Sequence, residues 1–209
     1  MTEPVTEKNS KVFSFIRVLA TIVVHTFLPI KYHHAERVAM DPPFVMISNH
    51  LHALDPMIMG YPVKQTQVCF LGKKELGKTR LAAWFMAEMH CILVDRHRTD
   101  MEAMRTCMKA MKMKKVLVIF PEGTRHHEGQ MEQIENGASF IILRSRVPVI
   151  PVYIDRKMKL FRRTNAYIGE PIPYDDLLEG GVNAETCEKM NERIRETFRK
   201  MIRETDKEK

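Results

Sequence analysis

From about residue 43 onward, short runs rich in Val, Ile and Leu alternate with amphipathic stretches of helical period, and few architectures accept that alternation. Strands are expected at 44–47, 67–71, 91–94, 116–120 and 147–154, with a short edge strand at 166–168. Helices are expected from Asp55, over 75–89, over 101–114 and over 131–144. Thr99 and Glu102 form an S/T-x-x-E capping box for the third of these. A long final helix starts near Asn183, where Cys187, Met190, Ile194, Phe198 and Met201 make one apolar face. Strands alternating with helices predict an α/β fold: a single layered domain with a largely parallel mixed sheet flanked by helices. There are no repeats and no linker.

Ahead of that domain lies the longest apolar stretch, residues 12–30, roughly 28 Å long as a helix. It is not apolar all round: Ser14, Arg17, Thr21 and His25 recur every three or four residues and line one face. A bilayer span would bury Arg17, which is costly. A helix lying in the membrane interface, its polar stripe against the domain, avoids that cost. The interfacial arrangement is therefore preferred to a full span. The expected division is residues 1–31 as an N-terminal apolar, membrane-associated helical segment and 32–209 as the α/β domain, with residues 1–10 polar and mobile.

The chain has 209 residues, 44% hydrophobic and 28% charged, enough for one real core. Its 33 Lys and Arg against 26 Asp and Glu leave a charge of +7, which suits an anionic partner. No basic stretch is interleaved with aromatics in the manner of single-strand binders, so nucleic acid is not expected as that partner. Cys69, Cys91, Cys107 and Cys187 lack zinc spacing and read as buried free thiols of a reducing compartment. The pairs His33-His34 and His126-His127 are adjacent residues that splay apart, so no metal site is expected.

Chemistry gathers at the strand ends. Asn49, His50 and Asp55 follow the first strand, and Lys73 and Lys74 the second. Asp95 and Arg96 follow the third, and Glu122, Thr124 and Arg125 the fourth. In parallel α/β sheets ligands bind outside the carboxyl ends of strands, so parallel pairing would bring all four segments to one edge. His50 and Asp55 are five apart, about 500° of helix, and cannot share a helical face. The histidine must sit in the turn, with Asp55-Pro56 as N-cap and first helical residue. From there the carboxylate reaches one imidazole nitrogen and leaves the other as a base. His52 lies in the same turn and is a rival. In Phe120-Pro121-Glu122-Gly123-Thr124-Arg125, Arg125 has the fork suited to phosphate, and the glycine turn adds backbone N–H groups. Glu122 either holds Arg125 or bridges to the turn backbone. No G-x-G-x-x-G, Walker loop or G-x-S-x-G elbow is present, and Ser139 lacks the flanks of a nucleophile.

These motifs, in this order, resemble the lysophosphatidic acid acyltransferase family, the 1-acylglycerol-3-phosphate O-acyltransferases. The likeness rests on N-H-x-x-x-x-D at 49–55, a K-x-E-L-like segment, Val94-Asp95-Arg96, the turn at 120–125 and the strand at 147–152. It covers roughly half the chain. It implies transfer of a fatty acyl group from a thioester co-substrate, on coenzyme A or acyl carrier protein, to a free glycerol hydroxyl, with no cofactor. It implies His50 as base and Asp55 as its orienting partner. The acceptor phosphate would meet Glu122, Gly123, Thr124 and Arg125, with Lys73 and Arg96 adding charge. Pro148 and Pro151 would shape the acyl-donor side. Three positions depart from the pattern: His52 stands where many members have Ser or Thr, His90 where glycine is common, and Ile134 to Ala138 replaces an F-K-K-G-A-like stretch.

The acceptor expected is 1-acylglycerol 3-phosphate, giving phosphatidic acid, at the cytoplasmic face of a membrane. The alternatives are another acceptor, glycerol 3-phosphate or a different lysophospholipid, and a non-catalytic membrane protein that binds anionic lipid. The His50/Asp55 pair favours an enzyme, since a binder needs no base.

Overall fold

A computed structural model of the chain describes residues 3–7, 11–95, 100–125 and 131–207. In chain order the principal elements are α1 (Lys11–Phe27), β1 (Ile30–His33), β2 (Phe44–Ser48), α2 (Asp55–Gly60), β3 (Val68–Lys73), α3 (Arg80–Glu88) and β4 (Cys91–Val94). They continue with α4 (Met101–Lys112), β5 (Val116–Ile119), α5 (Asn136–Ser145), β6 (Val149–Ile154), β7 (Thr164–Ile168) and α6 (Ala184–Lys207).

The strands form one seven-stranded sheet in the order β1-β7-β6-β2-β5-β3-β4. Every neighbouring pair is parallel except β6 and β7. The sheet is thus mixed and largely parallel, as the alternation predicts. Successive residues face opposite layers. Val45, Ile47, Leu117 and Ile119 pack toward α4, α5 and α6. Phe44, Met46, Val116 and Val118 pack toward α2, where Ile58 and Met59 are fully buried. Burial on both faces explains why the β2 and β5 sequences show no polar alternation.

Several boundaries differ from the expectation, each for a local reason. The apolar stretch at 12–30 is not one helix. It ends at Phe27 because Pro29 has no N–H and disfavours helix in the residue before it. Ile30 and Lys31 then enter β1, so the sheet begins inside the segment assigned to residues 1–31. Because β1 pairs with β7, the strand expected at the edge over 166–168 is an interior one. The helix expected at 75–89 splits into a 3-10 turn, Lys74–Gly77, and α3. Gly77 leaves room there, since a Cβ would lie 2.5 Å from Leu93 Cδ1 and push that side chain aside. Thr79 then restarts the helix, its side chain accepting from Ala82 N–H at 3.1 Å. The fourth helix is capped by Asp100, which accepts from Ala103 N–H at 3.0 Å; Thr99 lies outside the described residues.

Residues 3–7 are anchored, contrary to the expectation of a mobile start. Val5 is buried, Glu3 pairs with Lys109 at 2.6 Å, and the Glu7 carbonyl accepts from Lys115 Nζ at 3.2 Å. All four cysteines are buried free thiols, and burial pushes Cys69, Cys91 and Cys107 up to about 12. Among the described residues, no helix is long and apolar enough to cross a membrane.

Candidate active site

The turn after β2 is built from satisfied polar groups. Asn49, fully buried, donates Nδ2–H to the Ile154 carbonyl and accepts from Ile154 N–H, both at 2.9 Å. Its amide thereby ties the end of β2 to the end of β6 like one more rung of the ladder. His50 follows. Its backbone N–H donates to Glu122 Oε2 at 2.9 Å, and its ring stacks on Phe120 with centroids 4.3 Å apart. Glu122, itself buried, therefore joins the turn after β2 to the turn after β5. Of its two expected roles, the bond to turn backbone is made, although to the neighbouring turn.

Asp55 is fully buried and reaches backward from the first turn of α2. Its Oδ2 sits 3.0 Å from His50 Nδ1 and accepts the N–H groups of Leu51 and His52, each at 2.7 Å. The backward reach to His50 is as expected, but the N-cap position is taken by Leu54, and Asp55 is the first helical residue. Its Oδ1 is buried without a hydrogen-bond partner among the described residues. A carboxylate only accepts, so Nδ1 carries the ring proton and Nε2 holds the free lone pair. His52 differs: its Nδ1 accepts from Leu54 N–H at 3.3 Å, and it does not line the cavity described next.

His50 lies on the wall of a cavity of about 1500 Å³ that runs along the strand-end edge. Cations, apolar side chains and a helix end share that wall. Lys73, Thr124, Gly123 and Arg125 all contribute. Gly123 has φ +65, the left-handed region that glycine enters without penalty. Lys73 has no ion pair among the described residues, whereas Lys74 lies 3.7 Å from Asp95. Glu135 to Ala138, the segment that departs from the expected stretch, brings the first turn of α5 to the same wall. Beyond the mouth the lining turns apolar, with Met57, Phe70, Met86 and Met89 on one side of the sheet and Met104, Phe140 and Ile141 on the other.

Sequence reasoning missed what roofs this cavity. Phe13, Ile16, Arg17 and Thr21 of α1 line it, so two residues of the polar stripe, Arg17 and Thr21, border the cavity, while Ser14 stays exposed. Arg17 thus joins Lys73 and Arg125 as a cation on the cavity wall. The signal was the three-four spacing of the stripe, which shows a face but not what that face meets. At its start α1 is held by Phe13, whose ring lies 4.5 Å from His90. His90 is buried at φ +56, a backbone region that costs a residue with a β-carbon about 1–2 kcal/mol. Glycine at that position would adopt it freely; here the histidine ring is bonded to Gln67 Nε2 at 2.9 Å. Burial, above all, lowers the His90 pKa and keeps the ring neutral.

Other expected residues fall elsewhere. Pro148 and Pro151 do not line the cavity: the Pro148 carbonyl accepts from Val45 N–H at 2.9 Å, and Pro151 is a β6 residue whose ring approaches Gly169. Arg96, His126 and His127 lie outside the described residues. Ser139 is buried and bonded to Asn191. Among the described residues no cluster of three metal-ligating side chains occurs.

A protein-family model described as Acyltransferase matches residues 29–155. The chain is 26% identical to the 1-acyl-sn-glycerol-3-phosphate acyltransferase of Streptococcus pneumoniae, over 83% of this chain and 66% of that one. The figure is also 26% for the protein of the same name from Bacillus subtilis, over 82% and 89% of the two chains. It is 28% for 1-acyl-sn-glycerol-3-phosphate acyltransferase alpha of Homo sapiens, over 90% and 70%. The chain therefore spans just under two thirds of the first of these relatives. Among solved structures, the 1-acyl-sn-glycerophosphate acyltransferase PlsC of Thermotoga maritima superposes with a TM-score of 0.66 at 22% identity, covering 93% of this chain and 80% of that one. At that identity the likeness speaks for the α/β fold.

Proposed function

The chain belongs to the acyltransferase family, and from that premise we propose that it moves a fatty acyl group from an acyl thioester to the free hydroxyl of 1-acylglycerol 3-phosphate, giving phosphatidic acid. The observation that carries this reading is the 3.0 Å contact between His50 Nδ1 and Asp55 Oδ2 on the wall of a cavity that also presents Arg125 and Lys73. His50 Nε2 takes the proton of the acceptor hydroxyl as its oxygen attacks the thioester carbonyl. The tetrahedral intermediate collapses, the C–S bond breaks, and the departing thiolate receives the proton from the imidazolium. Asp55 holds the tautomer and stabilises the charged ring between those steps. Arg125, Lys73 and the glycine turn take the acceptor phosphate, and Arg96 is assigned there with them. The apolar parts of the cavity take acyl chain. The transfer uses no prosthetic group; the thioester, on coenzyme A or acyl carrier protein, is a co-substrate.

The reading includes a membrane surface, since acceptor and product are lipids. Phe15, Val18, Leu19 and Ile22 on α1 are 52% to 70% exposed and lie on one helical face, opposite the side that roofs the cavity. That face lies in the interface at the cytoplasmic side, where four free thiols are at home. The test is thioester consumption with acyl-coenzyme A and acyl carrier protein donors against lysophosphatidate, glycerol 3-phosphate and a lysophospholipid with a zwitterionic headgroup. Fastest consumption with lysophosphatidate is expected. Equal rates with a zwitterionic acceptor would remove the phosphate assignment, and no acceptor-dependent consumption would leave a lipid binder.

A further inference from the structure

We propose that the loop joining β6 to β7, residues 155–163, is a second docking element for an anionic bilayer surface, beside the outer face of α1. The proposal rests on reading α1 as lipid-facing. Three observations support it. The first is exposure under strain. Leu160 and Phe161 at the loop tip are 67% and 73% exposed. Phe161 also has φ +58, where a β-carbon is penalised and where glycine or asparagine would normally stand. The loop accepts an unfavourable backbone in order to hold a large apolar ring in the open, and such outliers persist where they serve a function.

The second observation is charge. Lys157, Lys159, Arg162 and Arg163 flank the tip, all exposed, and none has a carboxylate partner among the described residues. Arg156, by contrast, is paired with Asp155 at 2.9 Å. Lys157, Lys159 and Arg162 border a basin of about 340 Å³, open for an anionic headgroup. Two apolar residues bracketed by unpaired cations match the layered polarity of a bilayer: the apolar tip enters the acyl boundary while the long basic side chains reach the phosphates.

The third is continuity. Phe161 N–H donates to the Phe27 carbonyl at 2.7 Å, and the two rings are 5.8 Å apart. Phe27, 41% exposed, is the last residue of α1. The loop tip therefore sits against the C-terminal end of α1. The base of the loop is held firm. Met158 is buried, and Asp155 accepts from Asn165 N–H and Asn165 Nδ2–H, each at 2.9 Å. Two contacts, one along a helix and one at its end, would fix both the depth and the rotation of the protein on the surface.

The experiment is co-sedimentation of the full chain with vesicles of phosphatidylcholine alone or mixed with phosphatidylglycerol. Lys157→Gln with Lys159→Gln should lower partition onto the mixed vesicles about 20- to 30-fold, from about fivefold per cation, and leave partition onto phosphatidylcholine unchanged. Leu160→Ser should weaken binding to both vesicles several-fold. The three side chains are exposed and make no hydrogen bond or ion pair among the described residues, so melting temperature and activity on a short-chain, dispersed acceptor should stay as in the parent. A polarity-sensitive dye on Leu160→Cys should shift to the blue on mixed vesicles, the native thiols being buried. A control variant, Phe15→Ser with Val18→Ser and Ile22→Ser, tests α1 separately. If it loses binding while both loop variants bind normally and the dye does not shift, the loop proposal is overturned and the α1 reading stands. If the loop variants lose binding and the α1 variant does not, the loop proposal stands and the α1 reading falls.

Discussion

The turn after β2 and the helix α1 both border the same cavity, yet they are held in opposite ways. In the turn, every group that sets the position of His50 is buried and bonded: Asn49 to β6, the His50 backbone to Glu122, and its ring to Asp55. The helix is fastened near its ends, by Phe13 on His90 and by Phe27 on Phe161, and leaves Phe15, Val18 and Ile22 open. Geometry that must hold to a fraction of an ångström is over-determined by hydrogen bonds in the core. The roof is left with an unfilled apolar face, the one proposed to meet lipid. The difference teaches where changes should act on rate and where they should act on location.

The largest effect is expected from His50→Ala. Removing a general base typically costs about 10²–10⁴ in rate. The melting temperature should change little, since the ring is only stacked on Phe120 and bonded at one nitrogen. A folded His50→Ala enzyme of near-normal turnover, with His52→Ala inactive, would transfer the role to His52.

Asp55→Asn comes next and should damage both sides of the comparison. The carboxylate oxygen that orients His50 also takes two backbone N–H groups in a buried turn. An amide can satisfy part of that set but directs an N–H at groups that need an acceptor. We expect kcat to fall by at least about tenfold and stability by about 1–3 kcal/mol. Chemical denaturation alongside steady-state kinetics separates the two; a stability loss with normal kcat would make Asp55 a purely structural residue.

Arg125→Ala should be milder and selective. A charge-assisted, two-point contact is worth about 1.5–3 kcal/mol, or about 10- to 150-fold in KM for the phosphorylated acceptor. Donor KM should hardly move. The same loss toward monoacylglycerol would show that Arg125 acts on the fold.

The smallest effect is expected at the cysteines. With thiols pushed up to about 12 at Cys69, Cys91 and Cys107, almost no thiolate exists at pH 8. A thiol reagent should leave the folded chain unlabelled for as long as it stays active. Rapid labelling of a native sample would mean that the cores beneath α1 and α4 open far more often than their burial suggests.

Much of this molecule was legible before any fold was known. β4 lies where its apolar run is, at Cys91–Val94, because four consecutive apolar residues, two of them buried, leave little choice. The apolar face of α6 was legible too, since Cys187, Met190, Ile194 and Phe198 keep helical spacing and all four are buried. β1 was not. Its four residues, Ile30–His33, are too few and too mixed in polarity to read as a strand, and only pairing with β7 makes them one. The backward reach of Asp55 to His50 was legible from the spacing of the two residues, whereas its bonds to the Leu51 and His52 N–H groups were not.

The sequence by itself determined the order of strands and helices from β2 onward and the strand ends that carry charge, and it named the candidates for base and phosphate ligand. Those follow from periodicity and side-chain chemistry, which are local. Only the tertiary structure decided that Glu122 locks the His50 turn, that Arg17 and Thr21 border the cavity while Phe15 and Ile22 point away from it, and that Phe27 meets Phe161. These are meetings of residues far apart in the chain. A pattern along one element says which faces differ, but what each face meets depends on how the whole sheet and its helices pack.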